Sequence, residues 1–475
     1  MKKVTYLLMI SLGLSLFSCE SNLDEVPLSF LEESNSFNSA EDANSAIGAV
    51  YHRLRGIYGM NMINMGDLTA DDLEVRPENG LASEIDKLLF NSAHPWFNSF
   101  YTNSYILIDR ANRVIENVPN IAMEDEEKQR IIAEAKFLRA LAYFNLVRSF
   151  GDVPLVISVT DDITNVQIER TDSEEVYEFI IKDLIEAEVN LPLSYSEENM
   201  VGRATKGAAK AILSKVYLTV GQWENAAKKS KEVIDLGIYD LFPSYEDVFQ
   251  PENRNGREHI FSVQYSCILS EYGSSMAINF AIYFTYPINL GGGSYQVTPE
   301  YADSFLQGDS REGVAVIYEK ELADGTIVES RTGPHTDKYW DPMPCGSSSA
   351  RNNFMVIRYA DVLLMYAEAL NELGGPNQEA YQAINKVRQR ARTGNDSQLV
   401  DLEGLNQAEF RDAVLQERSW ELAFEGHRRW ALLRTGTYIE KMNASGIPAE
   451  EKHLLYPIPI NQMDINLALT QNPGY

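Results

Sequence analysis

The stretch Ile357–Arg392, IRYADVLLMYAEALNELGGPNQEAYQAINKVRQRAR, decides the fold. Leu363, Ala367 and Leu370 recur at three- and four-residue intervals and make one apolar stripe on a helix. Gly374-Gly375-Pro376 ends that helix, because glycine accepts a left-handed cap and proline cannot extend the ladder. Ala380, Ala383, Ile384 and Val387 repeat the spacing on a second helix. Small residues on both (Ala367, Ala369, Ala380, Ala383) let the two backbones approach. The product is a helical hairpin of tetratricopeptide type, a unit that needs neighbours to bury its other face.

Neighbours are present, though not in tandem. ATKGAAKAILSKVYLTVGQWENAAKKSKEVIDLGIYDL, residues 204–241, puts Tyr217, Gly221, Trp223, Ala226 and Ala227 where such a hairpin places its small and aromatic contacts. Helical spacing also runs through Ala43, Ile47, Val50, Leu54 and Ile57 after a Ser39 cap with Asp42 three residues on. It runs again from Trp96 to Val118 and, in an Ala-rich stretch, from Glu124 to Phe150. Thr171-Asp172-Ser173-Glu174 reads as a capping box for a helix reaching Leu191, and a last pair spans Gln407–Arg434. Between these lie two segments without period, 59–93 and 242–356. The second is rich in Gly, Ser, Pro and Asn, with short β-like pieces at Ile260–Tyr265 and Val314–Tyr318. It is too aromatic for disorder and too long for an idle loop.

The fold class is therefore mostly α: four non-tandem helix pairs carrying a large, irregular, partly β insertion. Residues 1–18 read as a signal peptide, 19–31 as a tether, and 32–475 as one domain. Its frame spans about 39–58, 94–150, 172–241 and 357–435. Lys2-Lys3 precede a short apolar run, too short to span a bilayer. Leu16-Phe17-Ser18-Cys19 resembles a bacterial lipobox, so Cys19 is the expected lipid attachment and holds the chain on a membrane without crossing it. Only Cys267 and Cys345 remain, and their spacing leaves their pairing open while giving no zinc pattern. A net charge of −28 disfavours nucleic acid as a partner.

Over almost its whole length the chain resembles the SusD/RagB family of outer-membrane nutrient-binding lipoproteins. The resemblance rests on the lipobox with SNLDEVP behind it, FNSAEDANSAIGAVYHRL, EAKFLRALAYFNLVRSFGDVPL, RATKGAAKAILSKVYLTVGQWENAA, RYADVLLMYAEALNELGG, ERSWELAFEGHRRWALLR and YPIPINQMDIN with the terminal TQNPGY, in the family's order. It implies that the irregular segments gather on one side to hold a glycan. It also implies a surface-exposed, outer-membrane location and a SusC-like TonB-dependent porter as partner. Neither implication comes from periodicity.

No catalytic residue, metal site or cofactor is expected. Glu417 and Glu421, one turn apart beside Arg418, Arg428 and Arg429, read as an ion-pair lattice, since a catalytic pair normally comes from separate elements flanking a cleft. Asp71-Asp72 with Glu74 reads as a solvated acidic loop before it reads as a cation site. The six histidines have neither metal spacing nor a nucleophile beside them. A sugar presents a C–H face and a rim of hydroxyls, which suits a flat aromatic flanked by amides, carboxylates or guanidinium groups. The binding candidates are Arg76, Trp96, Asn98 and Tyr101 near the first irregular segment, and Tyr283, Tyr295 and Trp340 from the second. Core packing is an equally common fate for each such aromatic ring. Two rivals stand beside glycan capture: a lipoprotein glycosidase and a pure porter-docking protein.

Overall fold

In the computed structural model the described residues are 37–159, 167–268, 272–282, 292–346, 349–394 and 396–475. The signal peptide, Cys19, the tether and Tyr283 lie outside them. Helix α1 (Ala40–Arg53) starts from Ser39, whose side chain accepts the Asp42 N–H while Asp42 returns the bond to the cap, and it buries Ala43, Ile47 and Val50. Helices α2 (Pro95–Asn117) and α3 (Asp125–Phe150) form the first hairpin. From Phe137 to Val147 every residue of α3 is buried, so this helix is the axis of the core rather than an amphipathic surface helix. Helix α4 (Ser173–Asn190) follows. Its cap is Asp172, which accepts the Glu174 N–H, and not the Thr171 box expected from the sequence.

Helices α5 (Lys206–Thr219) and α6 (Trp223–Asp235) make the second hairpin, turning at Gly221 with φ +73°. Helix α7 (Tyr359–Gly374) then packs against α6, although more than a hundred residues separate them in the chain. The helical stack is therefore continuous in space where the sequence is interrupted. Helix α7 turns at Gly375, φ +88°, into α8 (Gln378–Ala391), capped by Asn377. Ala367, Ala369 and Ala380 are fully buried at this crossing. Helix α9 (Gln407–Glu421) lies against α7, and a sharp bend through Phe424 and Gly426 leads to α10 (Arg428–Arg434). At this bend a Cβ on Gly66 would sit 2.7 Å from the Gly426 carbonyl oxygen, so the close approach requires glycine.

The stretches without period hold more structure than their composition suggests. Residues 59–93 contain two short helices, Met60–Gly66 and Gly80–Asp86, around strand β1 (Leu73–Val75). The insertion contributes β2 (His259–Val263), β3 (Tyr295–Val297), β4 (Glu319–Glu321), β5 (Ile327–Glu329) and β6 (Phe354–Arg358). Val314–Tyr318 is not a strand. Glu312–Ala315 turns as a short helix, and only Ile317 bridges, to His335. Three two-stranded antiparallel pairs result: β1 with β3, β2 with β6, and β4 with β5. The first stitches the two irregular segments together, Val75 opposite Tyr295. Cys267 and Cys345 are joined as a disulfide with Cα atoms 5.0 Å apart, which settles a pairing that the spacing left open. Among the described residues no helix is long and apolar enough to cross a membrane.

Candidate functional site

The insertion is locked onto the frame by buried charge. Glu417 and Glu421 are both fully buried, and Arg311 from the insertion reaches Glu417 at 2.6 Å and Glu421 at 3.2 Å. Arg388 from α8 takes the other Glu417 oxygen at 2.7 Å, while Arg358 and Arg390 both pair with Glu421. Arg358 also reaches Glu258 at 2.7 Å and Glu425 at 2.8 Å, and Lys338 closes on Glu425 at 2.9 Å. Burial pushes the Glu421 carboxyl upward, but Arg390, Arg358 and Arg311 more than offset this and hold it far below the usual range. A carboxylate so fixed, with every oxygen committed, is built for cohesion and not for proton transfer. The acidic loop is not the solvated one that the sequence suggests. Asp72 is fully buried, with no hydrogen bond to either carboxylate oxygen among the described residues, and its neighbour Asp71 is paired. Arg428 clasps Asp71 at 2.6 and 2.7 Å, and Asp67 accepts the backbone N–H groups of Gly426, His427 and Arg428.

Among the described insertion candidates Tyr295 is buried, whereas Trp340 is half-buried. Its neighbours hold it from both sides. Buried Tyr339 donates its hydroxyl to the Phe424 carbonyl at 2.6 Å, and buried Asp341 accepts from Arg351 Nη2 at 2.6 Å and from the Met343 N–H at 2.9 Å. The half-buried indole lies on a bed of small residues, Ala277, Ala281 and Ala350. Lys320, from β4, stands 5.0 Å over its ring and pairs with Asp337. The indole is thus held in place, packed against alanines with a cation over its ring and fixed neighbours on either side in the chain. Exposed Tyr318, Ile327 and Met343 belong to the same segment.

Arg76 joins this surface through the chain. It donates to the Gly292 carbonyl at 2.6 Å, its own N–H reaches the Ser294 carbonyl at 3.0 Å, and Gly292 in turn donates to the Ile278 carbonyl at 3.1 Å, beside the residues under Trp340. Arg76 and Trp340, far apart in sequence, thus frame the short helix Met276–Phe280.

The remaining candidates fall elsewhere. Tyr295 is 3% exposed, its ring against Phe280 and its hydroxyl donating to Asn64 Oδ1 at 2.6 Å. Tyr101 is likewise 3% exposed, packed on Tyr105 and Phe150. Both are core residues, which replaces ligand contact with packing at these two positions. Strand alternation turns Tyr295 inward, and helix α2 turns Tyr101 toward α3. Half-buried Trp96 stands edge-on to His94, and Asn98 accepts from Gln462 at 3.0 Å, so these two sit against the C-terminal segment. Lys320 escaped the sequence reading. Its signal is the Asp324-Gly325 turn between two short polar strands, which makes a hairpin that can carry a lysine over the indole.

Comparison with known proteins agrees with this architecture. Residues 316–475 match the model of the SusD family, and residues 23–218 match a model described as starch-binding associating with outer membrane. SusD-like protein P25 of Formosa agariphila is 29% identical, over 100% of both chains. A SusD superfamily protein of Parabacteroides distasonis matches with a TM-score of 0.82 at 27% identity, over 92% of this chain and 99% of that one. A laminarin-binding SusD-like protein matches with a TM-score of 0.80 at 28% identity, over 92% of this chain and 100% of that one.

Proposed function

Because this chain belongs to the SusD-like family, we propose that it is a non-catalytic glycan-capture lipoprotein, held on the outer membrane through acylated Cys19. The oligosaccharide is bound on the insertion, with Trp340 as the stacking platform and Arg76 among the polar groups around it. Laminarin binding in a relative of matching fold and 28% identity supports a glycan as the ligand. The observation that carries the assignment to this surface is Trp340, presented half-exposed on three alanines by residues locked on both sides. Capture by stacking needs no bond cleavage, and the carboxylates near the frame are committed to arginines. In this reading the bound glycan is handed to a SusC-like TonB-dependent porter.

The test is a titration of the soluble 20–475 form with laminarin and a panel of neutral polysaccharides. Trp340→Ala should weaken binding about tenfold or more, as truncation of a central aromatic anchor does. Unchanged affinity in that variant would move the site away from the insertion. Release of reducing ends from the bound polysaccharide would replace capture with hydrolysis. Co-purification of a SusC-like porter with the membrane-anchored form tests the handover.

A further inference from the structure

A cavity of about 570 Å³ opens in the helical frame between α3, α4, α5, α10 and the C-terminal loop, and none of its lining comes from the insertion. Its size falls in the range of about 300–1,000 Å³ typical of small-molecule sites. In a chain of net charge −28 its wall is cationic: Arg148, Arg170, Lys215, Arg418 and Arg434. The counter-charges are fewer, and one of them, Asp152, lies in the wall near Arg170 and accepts the Ser173 N–H. Glu368 takes Arg434, and Asp361 is shared by Lys215 at 2.7 Å and Arg418 at 2.8 Å. Arg170 is tied by carbonyl oxygens, those of Asp152, Phe150 and Thr470 and of the Asn472 amide.

Arg148 has no carboxylate partner among the described residues. It donates to Asn145 Oδ1 at 2.6 Å and to the Met62 sulfur, and its guanidinium lies 4.8 Å from the Phe144 ring and 4.5 Å from the Trp430 ring. Its Nε is one of several buried donors here without an acceptor, the others being Nε and Nη1 of Arg418 and Nε1 of Trp430. Burial draws the Arg148 guanidinium down to about 10 and the Lys215 ammonium to about 8, so both keep their charge at neutral pH. A buried cation without a counter-ion is costly, and an entering anion supplies the missing charge. The rest of the wall, including Tyr177, Trp430 and Leu454, is apolar or aromatic and suits the body of a ring.

We propose that this cavity is a second binding site, for a sugar-sized ring bearing one anionic group: a uronic acid or a sulfate ester. The anionic group meets Arg148 and Arg418, and the ring lies along Trp430 and Tyr177. That the ring is a sugar rests on the glycan reading above; the anion does not.

Calorimetric titration of the 20–475 form at low ionic strength tests it with glucuronate, glucose 6-sulfate, inorganic sulfate and glucose. An acid sugar should bind, glucose should not, and inorganic sulfate should bind more weakly; the tighter of the two acid sugars identifies the head group. Arg148→Gln should weaken that binding about tenfold or more, the usual consequence of losing a charged hydrogen bond. Trp430→Phe, which removes only the indole donor and part of the wall, should weaken it too and serves if the arginine variant does not fold. Trp340→Ala should leave it unchanged. Absence of binding by both acid sugars overturns the proposal. Equal affinity for bare sulfate, or indifference to both cavity variants, overturns it as well. Because neutral-glycan binding is read separately at Trp340, either site can fail without the other.

Discussion

At the scale of single residues, identical chemistry has opposite fates according to what lies beneath it. Tyr295 is fastened by Asn64, so Tyr295→Phe should cost about 1–3 kcal/mol by leaving a buried amide oxygen without its donor. Thermal denaturation would show that loss, while glycan affinity should not change. The buried carboxylates give a sharper forecast. Glu421 is held below its ordinary range, so its contribution is complete above the unfolded-state value of 4.5 and is lost as pH falls toward the lower folded-state value. Glu425 behaves alike, with burial opposed by Arg358 and Lys338. Melting temperatures followed from neutral pH into the acid limb should fall, and Glu421→Gln should flatten part of that slope. The same variant should lose about 1.5–3 kcal/mol at neutral pH, because Arg311, Arg358 and Arg390 each lose one of their carboxylate partners. Glu417 and Glu421 one turn apart indicated an ion-pair lattice but not its partners. Arg418 pairs with Asp361, Arg428 with Asp71 and Arg429 with the Tyr438 hydroxyl, while the two glutamates take Arg311, Arg358, Arg388 and Arg390. Which rings face outward was not readable from sequence, since Tyr295 and Trp340 differ in nothing that composition or period records.

At the scale of elements, the frame helices announced themselves, and of the two β-like pieces Ile260–Tyr265 became β2 while Val314–Tyr318 formed no strand. Ser39 with Asp42, and Gly375 before Asn377, are local signals, and each sits where the spacing put it. The pairing of Leu73–Val75 with Tyr295–Val297 joins residues over two hundred positions apart, and nothing local to either strand specifies its partner. The same holds for Cys267 and Cys345, 78 positions apart in sequence, a link that only their position in space decides. That disulfide should matter to the insertion more than to the frame. Closing a loop of that length contributes about 2–5 kcal/mol. The double variant Cys267→Ser/Cys345→Ser should therefore lower the melting temperature and weaken glycan binding while the far-ultraviolet helix signal persists. Equal loss of helix signal and binding would show that frame and insertion unfold together.

At the scale of the whole molecule, an acidic body carries the proposed glycan site on its insertion and a cationic cavity in its frame. Salt separates the two. Laminarin carries no charge, so raising ionic strength well beyond physiological should change its affinity less than about twofold, whereas acid-sugar binding in the cavity should fall as the Debye length shrinks from about 10 Å toward 3 Å. Titrations at two salt concentrations check both. A further consequence lies in how the insertion leaves and rejoins the frame. Strand β2 opens it and β6 closes it, hydrogen-bonded side by side with Val263 opposite Phe354, and β6 runs straight into α7. The two feet are thus fixed at neighbouring-strand distance, whatever the chain does between them. Doubling the length of such a closed loop adds only about 0.6 kcal/mol of closure entropy. Residues 264–353 can therefore change length at little closure cost, provided that Arg311, Lys338 and β3 keep their partners in the frame and in β1.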